Sequence, residues 1–137
     1  MVKIPYGKGD FKRLRTDGQL YFDRTELLHE LEAVGEQILF LRPRRFGKTL
    51  WLTLLESYYD IGAADQFETL FGDLAIGQNP TPNRNRYFIL RWNFSTINPN
   101  GDHEQIKQGL YGHINNSIRD ALLRYQSWWP TRLVQRS

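Results

Sequence analysis

The residues best suited to chemistry form one short run, Gly47-Lys48-Thr49. A glycine lets a phosphate approach the backbone closely, and a lysine supplies a mobile positive charge for the β and γ phosphates of a nucleotide. A threonine hydroxyl can bind Mg²⁺. The run ends the phosphate-loop pattern G-x-x-x-x-G-K-[ST], but Arg42 stands in place of its first glycine. Because Pro43 favours an extended residue before it, the loop can leave a strand without that glycine.

Arginines add to the positive charge of this loop, since three of them and Lys48 fall within residues 42–48. A nucleotide triphosphate site with extra counter-charge explains this run, and a basic surface turn is the alternative. We expect Arg44 and Arg45, which lie deeper in the loop than Arg42, to contact phosphate. The predicted nucleotide-binding residues are Arg44, Arg45, Phe46, Gly47, Lys48, Thr49 and Leu50, with Thr49 as the metal ligand.

The composition bounds the class of protein. The 137 residues are 40% apolar and 14% aromatic, which is enough for one modest folded domain. The net charge of +3 fits an anionic ligand as well as an ordinary solvated surface. The absence of cysteine excludes disulfides and thiolate metal sites, and His29, His103 and His113 are too scattered for a metal site. No apolar run reaches the length of a membrane span, so we expect a cytoplasmic protein without membrane contact.

Apolar patterns predict the elements that position the loop. QILFLR, residues 37–42, is apolar on both faces, as in a buried parallel strand. KTLWLTLLESYYD has helical spacing, YFILRWNF at 87–94 is a second strand, and a long helix follows from Asp102. We expect an apolar stripe that recurs every fourth residue, and ends three residues further on, to be core: Ile106, Leu110, Ile114, Ile118, Leu122 and Tyr125. The order favours an α/β fold, a P-loop NTPase-like three-layer sandwich with a parallel sheet, incomplete within this chain.

The predicted domain spans residues 1–137 in three parts. They are an N-terminal helical segment (1–35), a strand with phosphate loop and helix (36–60), and a helix, second strand, long helix and tail (61–137). Within the first part, Asp10 is a candidate helix cap. Asp23 and Glu26 have the spacing of a capping box before an apolar helix.

The segment RPRRFGKTL resembles the phosphate loop of the AAA-ATPase-like family, a group of prokaryotic P-loop proteins. IPYGKGDFKRLR, YFDRTELL, FETLFGDLAIG and YFILRWNFS are similar, in order, to further segments of that family. The resemblance covers residues 3 to about 98 and implies a P-loop domain that binds ATP with Mg²⁺. It also implies that the Asp-x-Thr segment at Asp23 and Thr25 lies near the nucleotide, for which a helix cap is the alternative explanation.

A hydrolysing P-loop enzyme needs a second carboxylate at a strand end, but the end of the second predicted strand carries Asn93 and no acid. In the resembled family the strand with that acid lies beyond the long helix. We therefore expect a nucleotide-binding portion truncated before it, which supports binding better than hydrolysis. The alternatives are an active ATPase completed by a missing segment or another chain, and a nucleic-acid or protein interaction module that uses the basic loop. Members of the resembled family often carry a C-terminal nuclease-like domain. The resemblance therefore implies that the protein could also contact nucleic acid through such a missing domain.

Overall fold

The computed structural model describes residues 9–41, 43 and 47–128. The chain divides into two compact units, Met1–Tyr87 and Phe88–Ser137. Six α-helices occur in the described part: α1 (Phe11–Thr16), α2 (Leu27–Val34), α3 (Lys48–Tyr59), α4 (Phe67–Phe71), α5 (Ala75–Gln78) and α6 (His103–Arg124). Three short 3₁₀ turns accompany them at Ile61–Gln66, Phe94–Thr96 and Gln126–Trp128.

The first unit is a helical assembly around an aromatic core. Asp10 caps α1 as predicted, because its side chain accepts a hydrogen bond from the Arg13 amide at 3.0 Å. The ring of Phe11 stacks on Phe71 with centroids 5.0 Å apart. Helices α1, α2, α3, α4 and α5 all contribute to this core, which consists of Phe11, Leu28, Leu54, Tyr58, Phe67, Leu70, Phe71, Leu74 and Ile76.

The prediction of an α/β sandwich with a parallel sheet is wrong. Residues 37–41 and 88–93 form no strand, and the bridge that joins two described residues is an isolated parallel one between Asp60 and Tyr87. Leu39 and Leu41, expected inside the sheet, are 83% and 79% exposed. An apolar run becomes a strand only where a neighbouring segment pairs with its backbone N–H and C=O groups, and such a buried strand also needs cover on both faces. The described part of the chain provides neither for these runs.

In its described residues, 88–128, the second unit consists of an extended segment, α6 and the 3₁₀ turn at Gln126–Trp128. The predicted start of α6 is confirmed: the Asp102 side chain accepts from the Gln105 amide at 2.8 Å, and the Gln105 side chain accepts from the Asp102 amide at 3.2 Å. The predicted core stripe is confirmed at Tyr125, which is buried directly after the helix, and is wrong for its other members, because no residue of α6 is buried. Its periodicity is genuine, but Ile118 and Leu122 stay exposed since the extended segment before the helix covers only part of that face.

Contacts along α6 hold the extended segment to it. The Ile89 amide donates to the Tyr125 hydroxyl at 2.9 Å, and the ring of Phe88 lies 4.8 Å from that of Tyr125. The Asn93 amide donates to Nε2 of His113 at 3.1 Å. Tyr125, directly after the helix, is the one buried side chain among residues 88–128 of this unit. The segment therefore lies along the helix through side-chain contacts rather than through strand pairing.

Candidate functional site

The N-terminus of α3 forms the candidate site. As predicted, the helix begins at Lys48, immediately after Gly47. Gly47 has φ 77° and ψ 15°, in the left-handed region that favours glycine. Within the described residues, nothing lies within 4 Å of a Cβ built at Gly47. The left-handed backbone conformation therefore requires glycine here, because no described atom of the protein crowds the position.

The first turn of α3 presents backbone donors. The Trp51 amide donates to the Gly47 carbonyl at 3.0 Å, which is the first bond of the helical ladder. The amides of Thr49 and Leu50 precede it and have no acceptor within the helix. They point out of the helix end together with the positive end of its dipole. Such a helix end fits the oxygens of a phosphate.

The structure brings four of the predicted nucleotide-binding residues together in this turn: Gly47, Lys48, Thr49 and Leu50. Lys48 is half-buried and Thr49 is exposed. The Leu50 side chain packs against the core, so its amide is the group available to a ligand. The other predicted residues, Arg44, Arg45 and Phe46, lie outside the described residues, as does Arg42.

The segment entering α1 supports this turn of α3. The Thr53 hydroxyl accepts from the Phe11 amide at 3.0 Å, and lies 3.0 Å from the carbonyl oxygens of both Gly9 and Leu50. A hydroxyl has one hydrogen, so it donates to one of these carbonyls at a time. Gly9 itself lies against the side chain of Thr49. This support is not evident in the sequence, because residues 9 and 53 are 44 positions apart.

The Asp-x-Thr segment joins α2 to α5. The Asp23 carboxylate accepts from the Thr25 amide at 2.9 Å, from the Thr25 hydroxyl at 2.6 Å and from the Ala75 amide at 2.7 Å. The Thr25 hydroxyl oxygen accepts from the Ile76 amide at 3.1 Å. The predicted capping box is therefore wrong, because α2 begins at Leu27 and Asp23 does not cap it. The Asp23 carboxylate instead accepts hydrogen bonds from Thr25, two residues on, and from the first amide of α5.

These bonds favour the charged form of Asp23. Burial alone would raise the pKa of Asp23, but the hydrogen bonds from the Thr25 hydroxyl and from the Ala75 and Thr25 amides outweigh it and lower that pKa. Burial, followed by the nearby Asp23 charge, raises the pKa of Tyr21 to about 12. The Asp23 charge therefore contributes to the internal electrostatics of the first unit.

A second carboxylate cluster, around the partly buried Glu32, was not predicted from the sequence. Glu32 on α2 accepts from the hydroxyl of Tyr59 at 2.9 Å, from that of Thr81 at 2.7 Å and from the Asn83 side-chain amide at 3.0 Å. Burial, and then the bond to Glu32, raises the pKa of Tyr59. In sequence Glu32 is one polar residue of a helix, and only its distant partners distinguish it.

Asp60 lies at the end of α3, as expected. Asp60 is the C-cap residue of α3, and its side chain accepts a hydrogen bond from the Gly62 amide at 2.8 Å. No cluster of three or more histidine or acidic side chains that could hold a metal ion occurs in residues 9–41, 43 and 47–128. Thr49, the predicted metal ligand, lies exposed in the first turn of α3.

A family model described as a predicted AAA-ATPase matches residues 5–136 of the chain. No curated protein and no solved structure is significantly similar to it. Among the helices of the described residues, none combines the length and apolarity needed to cross a membrane.

Proposed function

We propose, from the premise that the chain belongs to the AAA-ATPase-like family, that it binds ATP at the N-terminus of α3. The observation that carries the proposal is the left-handed Gly47 followed at once by the first turn of α3. This turn supplies three kinds of group in consecutive residues: backbone amides, an ammonium group and a hydroxyl. A triphosphate with its metal ion needs all three.

Each residue of the turn has a separate role in this proposal. The amides of Thr49 and Leu50 bind phosphate oxygens that approach along the helix axis. The ammonium group of Lys48 binds the β and γ phosphates, and Gly47 leaves the approach clear of a side chain. The Thr49 hydroxyl would hold Mg²⁺, which when bound neutralises charge on the β and γ phosphates.

We propose that this chain binds ATP and hydrolyses it slowly. Hydrolysis needs a carboxylate that helps hold the metal and place water. Asp23 is engaged by Thr25 and Ala75, and Asp60 by Gly62, so these two acids serve the structure of the first unit. A phosphate-release assay on the purified chain should therefore show little Mg²⁺-dependent hydrolysis.

Calorimetric titration of ATP in the presence of Mg²⁺ tests the site. We expect Lys48→Ala to weaken binding by on the order of tenfold or more, because a hydrogen bond to a charged group is worth about 1.5–3 kcal/mol. Lys12→Ala is the matched control, since it removes the same charge from an exposed position of α1. Equal affinity of Lys48→Ala and the unmodified chain would refute the site, provided that both have the same melting temperature.

The salt and metal dependence of binding separates ATP from a polynucleotide. A site built for a nucleic-acid backbone would bind DNA with a steep, base-independent dependence on salt and without need of Mg²⁺. An ATP site gains affinity from Mg²⁺ and discriminates ATP from a single-stranded oligonucleotide. Tight, Mg²⁺-independent oligonucleotide binding combined with weak ATP binding would favour the interaction module instead.

A further inference from the structure

We infer that Gly9 is a positioning residue for Thr49: because it lacks a side chain, the segment entering α1 lies against the Thr49 methyl group and turns the hydroxyl away from itself. The inference deepens the proposed function and rests on it for the role of that hydroxyl. The contact between Gly9 and Thr49 is a property of the protein without ligand.

Distances around Gly9 define the contact. A Cβ built at Gly9 would lie 3.0 Å from both Cβ and Cγ2 of Thr49, and the next nearest atom is the Leu50 amide nitrogen at 3.9 Å. The methyl side of Thr49 therefore faces Gly9, and the hydroxyl lies on another side. A threonine in a helix divides between two χ1 rotamers, so a surface packed against the methyl group selects one of them.

The segment at Gly9 is held in place by bonds that do not involve Thr49. The Thr53 hydroxyl accepts from the Phe11 amide and donates to the Gly9 carbonyl or to that of Leu50. Phe11 is fully buried and stacks on Phe71 in the core. Because the segment is anchored and Thr49 is exposed, an added methyl group at position 9 should turn Cγ2 of Thr49 away by rotation about χ1. The contact with Thr49 Cβ, which this rotation does not move, is relieved by a shift of a few tenths of an ångström.

Gly9 is needed because a side chain there would crowd Thr49, and not because of its own backbone conformation. The glycines with left-handed backbone in the described residues are Gly18, Gly35 and Gly47, and Gly9 is not among them. Alanine can thus occupy position 9 without strain in its own φ. The remaining consequence of Gly9→Ala is the 3.0 Å approach to Thr49, which is closer than carbon atoms normally pack.

Under the proposed function, moving the Thr49 hydroxyl weakens the metal-dependent part of ATP binding. The amides of the first turn and Lys48 still bind phosphate without metal. We expect Gly9→Ala to lower the affinity for ATP with Mg²⁺ by on the order of tenfold, the lower range for loss of a group that orients a metal ligand. The affinity for ATP in EDTA should change by less than about twofold, since the added methyl group makes only an ordinary van der Waals contact, at 3.9 Å, with the Leu50 amide nitrogen.

Two measurements on three chains test the inference. Three-bond NMR couplings to Thr49 Cγ2 report χ1 in the ligand-free protein, and calorimetry reports ATP affinity with Mg²⁺ and with EDTA. The matched control is Gly112→Ala in α6, where a built Cβ meets nothing within 4 Å in the described structure. We expect one Thr49 rotamer in the unmodified chain and in the control, and a changed or mixed χ1 in Gly9→Ala.

A second variant keeps the test valid if Gly9→Ala folds poorly. Thr53→Val leaves residue 9 unchanged but removes the hydroxyl that binds the Gly9–Phe11 segment, so Thr49 should again lose its single rotamer. An unchanged Thr49 χ1 in both variants would overturn the inference, as would a changed χ1 with full Mg²⁺ enhancement of ATP binding. If the unmodified chain binds no ATP but χ1 responds as expected, the proposed function fails while the positioning contact stands.

Discussion

Replacing Glu32 by alanine tests the cluster that holds α2 to the loop after α5. The Glu32 carboxylate receives three hydrogen bonds, from Tyr59, Thr81 and Asn83. The Thr81 hydroxyl lies 3.0 Å from that of Tyr58, so it keeps a partner after the change. The donors of Tyr59 and Asn83 each lose their acceptor.

The expected loss of stability follows from these two donors. A hydrogen bond to a charged group contributes about 1.5–3 kcal/mol. Tyr59 and Asn83 are both half-buried, so water replaces part of each bond, and we take the lower end of the range for both. Glu32→Ala should therefore lower the free energy of unfolding by about 3 kcal/mol. Glu32→Gln keeps an acceptor oxygen but loses the charge, and should lower it by about half as much.

Urea unfolding with linear extrapolation measures these differences. Glu30→Ala is the control on the same helix, and should lower the free energy of unfolding by less than about 1 kcal/mol because Glu30 is an exposed acid of the first turn. Alkaline absorbance titration gives an independent readout: burial and the Glu32 bond raise the pKa of Tyr59, and Glu32→Gln should lower that pKa. Equal stability of Glu32→Ala and Glu30→Ala would refute this account of the cluster.

Three further changes address the core, the turn and the pH dependence. In urea unfolding, Leu54→Ala should lower the free energy of unfolding by about 2–5 kcal/mol, because Leu54 is 1% exposed. Leu52 lies on the same helix but is 53% exposed, so Leu52→Ala should change that free energy by less than about 0.5 kcal/mol. Gly47→Ala should lower the melting temperature, since left-handed backbone costs a non-glycine residue about 1–2 kcal/mol, and Gly47→Asn should lower it less. The lowered pKa of Asp23 means that its contribution to stability is fully present above its ordinary pKa of 3.8 and is lost as pH falls through the folded-state value. Asp23→Asn should therefore flatten the acid limb of stability against pH and lower the pKa of Tyr21 from about 12, and an unchanged acid limb would contradict this assignment.

The sequence by itself determined the features whose partners lie close along the chain. Asp10 caps α1 through an amide three residues away, and Asp102 and Gln105 form a capping box over the same distance. The start of α3 after a left-handed Gly47 is equally local. The family was also predictable, because the phosphate-loop run and its neighbouring segments are patterns of residue order. Such features need few residues to be ordered, so short-range energies decide them.

The tertiary structure alone decided which segments pair and which carboxylates are satisfied. Residues 37–41 and 88–93 have the composition of strands, yet a strand forms only when a distant segment supplies its hydrogen-bond partners. Asp23 looked like a local cap, but the Ala75 amide, 52 residues away, takes part in binding it. Glu32 gave no signal at all, because Thr81 and Asn83 are 49 and 51 residues distant. Contacts across such separations depend on how the helices pack around the core, and residue order along one stretch does not encode that packing.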